Sequence, residues 1–371
     1  MKAKWMTVLV LSLASAPLSA ASDPAFFGLL RARDLTPFGY LRLDMRPGFP
    51  GSPTPGKWTI ETDFAYQNTW ATSPNVEKYL NSLEGRRELG PAELQAIRDL
   101  PGENYLLDLE MAQLDVAINY QFSEHWGAYT IVSGAGFGGG FLDSTIESFH
   151  RLIDAPRFGR PALARNDYNV VFDLKSSQYA AFDSPGDGGL LDPVIGVRYT
   201  RLSADDRWRM SLESAVKVPL SDRSAALSTG RTDYGAQMSL QRFSGRNALY
   251  LNVAAVYYAG TQNFVEEPAR VLPTVVIGFE RRMTPRTNVV LQGYVSRSVY
   301  GREQTDLREL RGTKTQLSAG IHHRRGAHLV SFALTENIGY INNTPDVGWQ
   351  LGYSFNPGWI ERSPRGASPL R

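Results

Sequence analysis

Apolar and polar side chains alternate along many short segments of this chain, and the last of these segments is the clearest. In residues 347–355, Trp349, Leu351, Tyr353 and Phe355 fall on one side, while glycine, glutamine and serine fall on the other. A repeat of two residues is the pattern of a β-strand with one apolar and one polar face. An apolar face that is mostly aromatic and ends on phenylalanine is typical of the closing strand of a transmembrane β-barrel.

Earlier segments show the same alternation, so the pattern predicts twelve strands in all. The predicted strands lie at residues 58–70, 112–122, 126–132, 191–202, 208–218, 234–240, 249–257, 275–279, 289–295, 317–321, 330–334 and 347–355. The first of them, which begins at Trp58, is the predicted partner of the closing strand. A soluble β-sandwich or propeller is the alternative, but apolar faces rich in valine, leucine and tyrosine favour a membrane barrel.

The connections between these strands alternate between short and long. Tight turns are predicted at 123–125, 204–206, 244–246, 284–286 and 324–326, and longer connections at 71–103, 135–190, 220–230, 260–270, 301–312 and 338–346. Outer-membrane barrels have short periplasmic turns and longer external loops. The alternation holds if the strand-like piece at 168–174 belongs to an external insert. The sequence therefore predicts an all-β fold: a 12-stranded antiparallel transmembrane β-barrel with a large extracellular insert, residues 135–190, that contains a short helix.

The two ends of the chain predict export to a bacterial outer membrane. Residues 1–21 read as a signal peptide, with Lys2 and Lys4 before an apolar core and small residues at the cleavage zone. A periplasmic lead-in at 22–56, the barrel at 57–355 and a periplasmic tail at 356–371 complete the predicted organisation. The sequence contains no cysteine, which fits a Gram-negative envelope protein without disulfides.

The charge and composition of the chain limit the kinds of molecule that it is expected to bind. The net charge is only +2 and no basic run is present, so a nucleic-acid partner is not expected. No stretch is apolar over about 18 residues, so no transmembrane helix is predicted. Outer-membrane lipid and small solutes are the expected partners, and neither a cofactor nor a metal is expected.

Two stretches resemble a known family. They are Leu30-Arg-Ala-Arg-Asp-Leu-Thr-Pro-Phe38 and Gly138-Gly-Gly-Phe-Leu-Asp-Ser-Thr-Ile-Glu-Ser-Phe-His150. Together with the strand pattern that follows, they resemble a bacterial outer-membrane family catalogued as domain of unknown function 3187. The resemblance covers essentially the whole mature chain. It implies an outer-membrane location and a β-barrel, and it implies no particular activity.

One cluster of residues could carry chemistry. Asp143, Glu147 and His150 lie at i, i+4 and i+7 and would share one face of a helix over 141–153. A histidine beside two carboxylates is a candidate acid–base group, so these three are the candidate catalytic residues of an outer-membrane lipid or polysaccharide hydrolase. The alternative interpretation is structural, because Ser144 and Glu147 are spaced as a capping box at a helix start.

The polar faces of the strands give a second set of candidates. The residues expected to line the lumen are Asp115, Asn119, Arg209, Glu213, Lys217, Glu280, Arg282 and His322. Mixed charges here predict either a salt-bridged interior or a weakly selective aqueous path. The first functional hypothesis is therefore a narrow, porin-like channel or envelope component without enzymatic activity. The hydrolase is the second, and a structural or adhesive surface protein that presents the insert is the third.

Overall fold

The first and last strands of the barrel hydrogen-bond to each other and close the sheet. Strand β1 (Lys57–Thr72) pairs antiparallel with β15 (Val347–Phe355), with Tyr66 opposite Trp349 and Ile60 opposite Phe355. The predicted partnership is therefore confirmed. The structure is a computed structural model. It describes residues 26–361 except 37–38, 49–53, 153, 155, 178, 183, 204–206, 222–226, 260–268 and 339–342, and the predicted signal peptide lies outside the described residues.

Thirteen further strands and several short helices lie between these two strands or beside them. The strands are β2 (Asn104–Gln121), β3 (Trp126–Gly138), β4 (Asn169–Asp173), β5 (Ala180–Phe182), β6 (Gly189–Leu190), β7 (Val194–Leu202), β8 (Trp208–Lys217), β9 (Asp233–Ser244), β10 (Asn247–Tyr258), β11 (Arg270–Arg282), β12 (Thr287–Ser296), β13 (Lys314–Arg325) and β14 (His328–Asn337). The helices are α1 (Pro74–Ser82), α2 (Pro91–Arg98), α3 (Asp143–Leu152), α4 (Arg308–Arg311) and α5 (Gly358–Glu361), with a 3₁₀ turn at Arg160–Ala162.

Twelve antiparallel strands form the closed ring in the described part of the chain, as the sequence predicts. Their order is β1, β2, β3 and then β7 to β15, with β3 joined to β7. Strands β4 and β5 extend the sheet beyond the ring. Among the strands of the ring, β4 pairs only with the early part of β2, at 104–108, and β5 pairs with β4. The piece at 168–174 is therefore not a strand of the ring. Closure leaves no free sheet edge, which is what a lipid environment requires.

The outer surface of the ring is apolar and carries aromatic residues near both ends. Side chains at its middle, such as Ile277 and Leu291, are about half exposed. The ring of Trp58 lies 4.4 Å from that of Tyr120 near one end of the strands, and Tyr66 stacks on Trp349 near the other. An apolar band between two aromatic girdles is the surface that a bilayer covers.

Short and long connections alternate around the ring. The connections at 122–125, 203–207, 245–246, 283–286 and 326–327 are short, and they define the short-turn end. The connections at 73–103, 139–193, 218–232, 259–269, 297–313 and 338–346 are longer, and they define the long-loop end. Two of the long connections fold together on the outer side of β1 and β2. There α1, α2 and the 3₁₀ turn enclose a small apolar core around Trp70, Leu80 and Leu163.

Two helices in this region begin at proline. Helix α2 begins at Pro91 and helix α1 at Pro74, since proline at the first helical position gives up only a backbone N–H that has no partner. Among the helices in the described residues, none is long and apolar enough to cross a membrane.

The interior of the barrel is occupied by the chain's own N-terminal segment. Residues 26–36 and 39–48, here called the plug, run inside the ring in irregular conformation. The sequence predicts a periplasmic lead-in over 22–56, and the described part of that segment lies mostly in the lumen. It does so because polar side chains of the wall bind its backbone, as detailed below.

We expect the cost in stability of an arginine on the apolar band to depend steeply on its depth in the bilayer. Ile277→Arg places a charge at mid-height on the outer face of β11, whereas Val271→Arg on the same face lies near the long-loop end. In lipid vesicles, the first should lower the free energy of unfolding by about 2–4 kcal/mol and the second by about 0–1 kcal/mol. Denaturant titration followed by tryptophan fluorescence measures both. Equal costs would contradict a bilayer covering this surface.

Candidate functional site

The plug passes through the lumen twice. It enters at the short-turn end, where Phe27 packs against Trp359 of α5 with ring centroids 6.1 Å apart. A turn follows near the long-loop end, where the Gly39 N–H donates to the carbonyl oxygen of Thr36 at 2.9 Å. The chain then returns towards mid-height at Gly48 before β1 begins. Both arms of the plug therefore lie against the polar faces of the strands.

Side chains of the wall serve as hydrogen-bond partners for the backbone of the plug. Each of them is an amide, a carboxylate, a lysine or a histidine on the inner face of a strand. Wall oxygens accept from plug N–H groups at 2.9–3.0 Å: Glu280 from Phe27 and Gly28, Gln67 from Leu35, and Asp233 from Leu43. Wall nitrogens bind plug carbonyl oxygens at 2.7–3.3 Å: His322 binds Gly28, Gln292 binds Leu30, Gln350 binds Arg31, Gln67 binds Arg33, Lys217 binds Leu41, and Gln237 binds Arg46. A buried irregular chain needs such partners, since it has no ladder of its own.

Apolar side chains of the plug fill gaps left by glycines of the wall. A Cβ at Gly278 of β11 would overlap the side chain of Leu29, and one at Gly235 of β9 would overlap Met45. Both glycines lie on inner faces, where any larger side chain would meet the plug. The wall is therefore shaped for this segment as well as being hydrogen-bonded to it.

Three arginines of the plug bind three carboxylates on adjacent strands. Arg31 lies 3.1 Å from Glu61, and Arg33 lies 3.5 Å from Asp115. Arg46 hydrogen-bonds Asp63 directly.

A fourth ion pair lies near the turn of the plug. Its charges are reversed, because Lys314 of the wall binds Asp34 of the plug at 2.5 Å. All of these pairs are largely shielded from solvent, so breaking one leaves a buried charge without its counterion.

The register of the barrel explains why these cations are needed. Asp63 of β1 stands directly opposite Asp115 of β2, and both are buried. Like charges at directly opposite positions of two paired strands destabilise a sheet. Arg46 and Arg33 of the plug place positive charge beside these two carboxylates. The plug is thus the source of the charge balance on this side of the lumen.

The site is polar at its centre and apolar at the long-loop end. A cavity of about 20 Å³ lies between the plug and the wall, bordered among others by Arg31, Arg46 and Glu61, which is room for about one water molecule. Towards the long-loop end, Leu35 and Tyr40 of the plug join the largest apolar core of the chain. This core closes the lumen between the polar centre and the long-loop end.

The residues predicted to line the lumen all lie on inner faces of the strands, most of them buried and Asn119 and Arg282 half-buried. Several of them bind the plug rather than bordering open water. Glu280, Lys217 and His322 bind its backbone, as described above. Asn119 donates to Glu61 at 3.1 Å, and Glu213 is paired with Arg198 of the neighbouring strand at 2.9 Å.

The candidate catalytic residues lie on α3, within the long connection that follows β3. The carboxylate of Asp143 is buried and accepts from Arg160 at 2.6 Å. Arg86 and Arg165 both bind Glu147, each at 2.6 Å. Both carboxylates are therefore already ion-paired, and Glu147 joins its helix to the connection between β1 and β2 rather than capping the helix start.

His150 takes no part in this network. The centroid of its ring lies 6.4 Å from that of Phe149. Among the described residues, no hydrogen bond joins it to Asp143 or Glu147. A general base needs an orienting partner within hydrogen-bond reach. The catalytic role of the three residues stays a prediction, and their contacts describe a structural network. No group of three or more histidines and carboxylates within the described residues is arranged to hold a metal ion.

Sequence reasoning missed the plug as a functional element. Two signals could have pointed to it. Inward carboxylates at Glu61, Asp63 and Asp115 lack cationic neighbours on their own strands, and the segment 26–48 contains four arginines. Counting inward charges strand by strand would have shown that the cations had to come from elsewhere.

Comparison with known proteins fits this architecture. The family model described as "Protein of unknown function (DUF3187)" matches residues 101–356. The chain belongs to this family. The resemblance noted in the sequence is thereby confirmed. No curated protein matches the chain.

Solved structures with a similar fold are outer-membrane proteins. A crystal structure of the COG4313 outer membrane channel from Pseudomonas putida F1 aligns with a TM-score of 0.51 and 12% identity, covering 84% of this chain and 99% of that one. The NanC porin aligns with a TM-score of 0.41 and 7% identity, covering 81% of this chain and 100% of the porin. At such low identity, the likeness to the channel shows the fold alone.

We expect the Arg46–Asp63 pair to behave as a coupled buried pair. Arg46→Met and Asp63→Asn should each lower the free energy of unfolding in lipid vesicles by about 3–5 kcal/mol. The double variant should cost less than the sum of the two by about 1–3 kcal/mol. The same cycle on the exposed pair Lys175–Asp306 is the control and should show little coupling. Additive effects at Arg46 and Asp63 would contradict a direct plug–wall bond.

We expect the packing of α3 to depend on pH through Glu147. Burial alone raises the pKa of this carboxyl, but hydrogen bonds and charge from Arg165 and Arg86 outweigh burial and lower it. A lowered folded-state pKa gives stability that is complete above the unfolded pKa of about 4.3 and is lost as pH falls through the folded value. The protection of amides across 139–166 against hydrogen exchange, relative to the intrinsic rate at each pH, should therefore fall below about pH 4. In Glu147→Gln this loss of protection should be smaller, and an unchanged acid response would contradict the assignment.

Proposed function

We propose that the protein is an outer-membrane channel for small polar solutes whose lumen is closed at rest by the plug. Its single strongest support is the composition of the wall, which offers the plug many amide, carboxylate, lysine and histidine side chains between smaller apolar contacts. A barrel that is filled permanently can use an apolar core. A wall of amides, carboxylates and lysines is one that can also stand in contact with water when the plug leaves.

The manner of attachment supports the same proposal. In the described residues, the plug forms no backbone hydrogen bonds with the wall, so its departure breaks no strand pairing. The ring remains closed through β1 and β15 without it. The similar fold of a solved outer-membrane channel is consistent with a conducting role.

The proposed orientation follows from the connections. The long-loop end faces outwards, with the insert exposed on the cell surface, and the short-turn end faces the periplasm. On this orientation the plug enters from the periplasm, after removal of a signal peptide. Displacement of the plug towards the periplasm would then open the lumen.

We expect variants with a weakened plug to conduct more than the native chain. In planar bilayers the native protein should be closed most of the time. Arg31→Gln, Arg33→Gln and Arg46→Gln combined should raise the open fraction, because each loss of about 1.4 kcal/mol in plug binding raises the open population about tenfold. A chain lacking residues 26–48 should stay open.

The matched control breaks ion pairs of the same kind outside the lumen. Arg86→Gln with Arg165→Gln removes the partners of Glu147 on α3 and should leave conductance at the native level. A chain without 26–48 that forms the barrel, as judged by circular dichroism and heat-dependent gel migration, yet conducts no more than the native protein would overturn the proposal.

A further inference from the structure

The acidic patch behind the plug is held by hydrogen bonds from the wall as well as by the arginines of the plug. It consists of Glu61, Asp63 and Asp115 on the inner faces of β1 and β2. Donors of the wall hold each carboxylate in place. Ser133 and Gln113 donate to Asp115 at 2.5 and 2.8 Å, Gln350 donates to Asp63 at 3.2 Å, and Asn119 donates to Glu61 at 3.1 Å.

The cations opposite the patch belong to the plug and leave with it. The plug contains four arginines and two aspartates, a net charge of +2. Its removal therefore exposes the acidic patch and takes away the charge that balanced it. Asp63 and Asp115 then face each other across one strand pair without a counterion, an arrangement that attracts any mobile cation.

The rest of the wall around this stretch does not replace the lost cations. Gln350 and Gln237 bind the backbone of the plug at Arg31 and Arg46, and both are neutral amides. Arg198 borders the same cavity and also acts electrostatically on Glu61, but its charge is already matched by its ion pair with Glu213 on the adjacent strand. An open lumen thus has an excess of negative charge at the patch.

A second observation shows that the patch is polar and incompletely filled. Arg46 is buried, yet its Nε atom has no hydrogen-bond partner among the described residues, and its side chain borders the cavity between plug and wall. The guanidinium groups thus do not fill this space completely, and about one water molecule has room beside them.

We propose that the open lumen is selective for cationic solutes, in particular those carrying guanidinium or ammonium groups, and that Glu61, Asp63 and Asp115 determine this selectivity. The arginines of the plug act as tethered counterions that a solute of the same chemistry replaces. The proposal rests on the channel function proposed above. Exchange of one cation for another keeps the charge balance of the patch, so entry of such a solute favours release of the plug.

Selectivity is measured with the chain lacking residues 26–48 in planar bilayers under a potassium chloride gradient. The reversal potential should correspond to a permeability ratio of potassium to chloride of about fivefold or more. Glu61→Gln, Asp63→Asn and Asp115→Asn combined should bring this ratio close to one. The control removes the same formal charge from exposed positions of the connection between β1 and β2, as Glu84→Gln, Glu88→Gln and Asp99→Asn, and should leave the ratio unchanged.

Competition for the patch is measured on the full chain without any conductance. Because the chain has no cysteine, Ala32→Cys gives a single buried thiol on the plug. Arginine amide should accelerate its labelling by a maleimide severalfold compared with sodium chloride of equal ionic strength or with urea, and the triple carboxylate variant should lose this difference.

The two measurements separate the two proposals. Open channels that are unselective or prefer chloride would overturn the cation proposal and leave the channel function standing. Absence of conductance together with faster labelling by arginine amide would overturn the channel and support cation binding at the patch. Failure of both measurements would overturn both.

Discussion

A chain without regular structure can lie inside a barrel only if its backbone polar groups find partners there. An unpaired N–H or carbonyl in such a place costs free energy comparable to a lost hydrogen bond. In this protein the partners are side chains of the wall, including Glu280, Gln67 and Gln350. This requirement determines much of the inner face of the ring, which otherwise reads as a collection of unrelated polar residues.

Because the plug is held largely by polar contacts, the net free energy that these contacts contribute to its binding in the lumen is modest. Burying charges such as Arg46 and Asp63 costs desolvation free energy that their attraction repays only when the geometry is good. Ion pairs that join plug and wall therefore specify position more than they add stability. Water can replace these contacts on both surfaces once they separate. An apolar contact loses its hydrophobic contribution on separation, whereas water can take over these polar contacts, so the polar share of the interface is the part that fits the proposed opening.

The sequence predicted the ring and the sides of its strands because both depend on local alternation. Trp58, Ile277 and Leu334 face outwards for the same reason that Glu280 and His322 face inwards. The plug was beyond that reasoning, because its contacts are not local: Gln350 binds the backbone of Arg31, far apart in the chain. The sequence did not predict the ion-pair partners of α3 for a similar reason. A helical repeat places Asp143 and Glu147 on one face, but it says nothing of which arginines from other segments reach that face.

On the proposed function, opening the lumen separates apolar contacts along both arms of the plug and at its turn. In the arms, Leu29 shares a buried apolar cluster with Val276 of β11, and Met45 shares one with Val256 of β10. At the turn, Leu35 and Tyr40 are part of a larger apolar core with side chains of β2, β4 and the connection before β13. Withdrawing one large apolar side chain into water costs about 1.5–3 kcal/mol. On the proposed channel function, a signal that opens the lumen therefore has to offset the loss of these apolar contacts or compete with the plug for the carboxylates of the acidic patch.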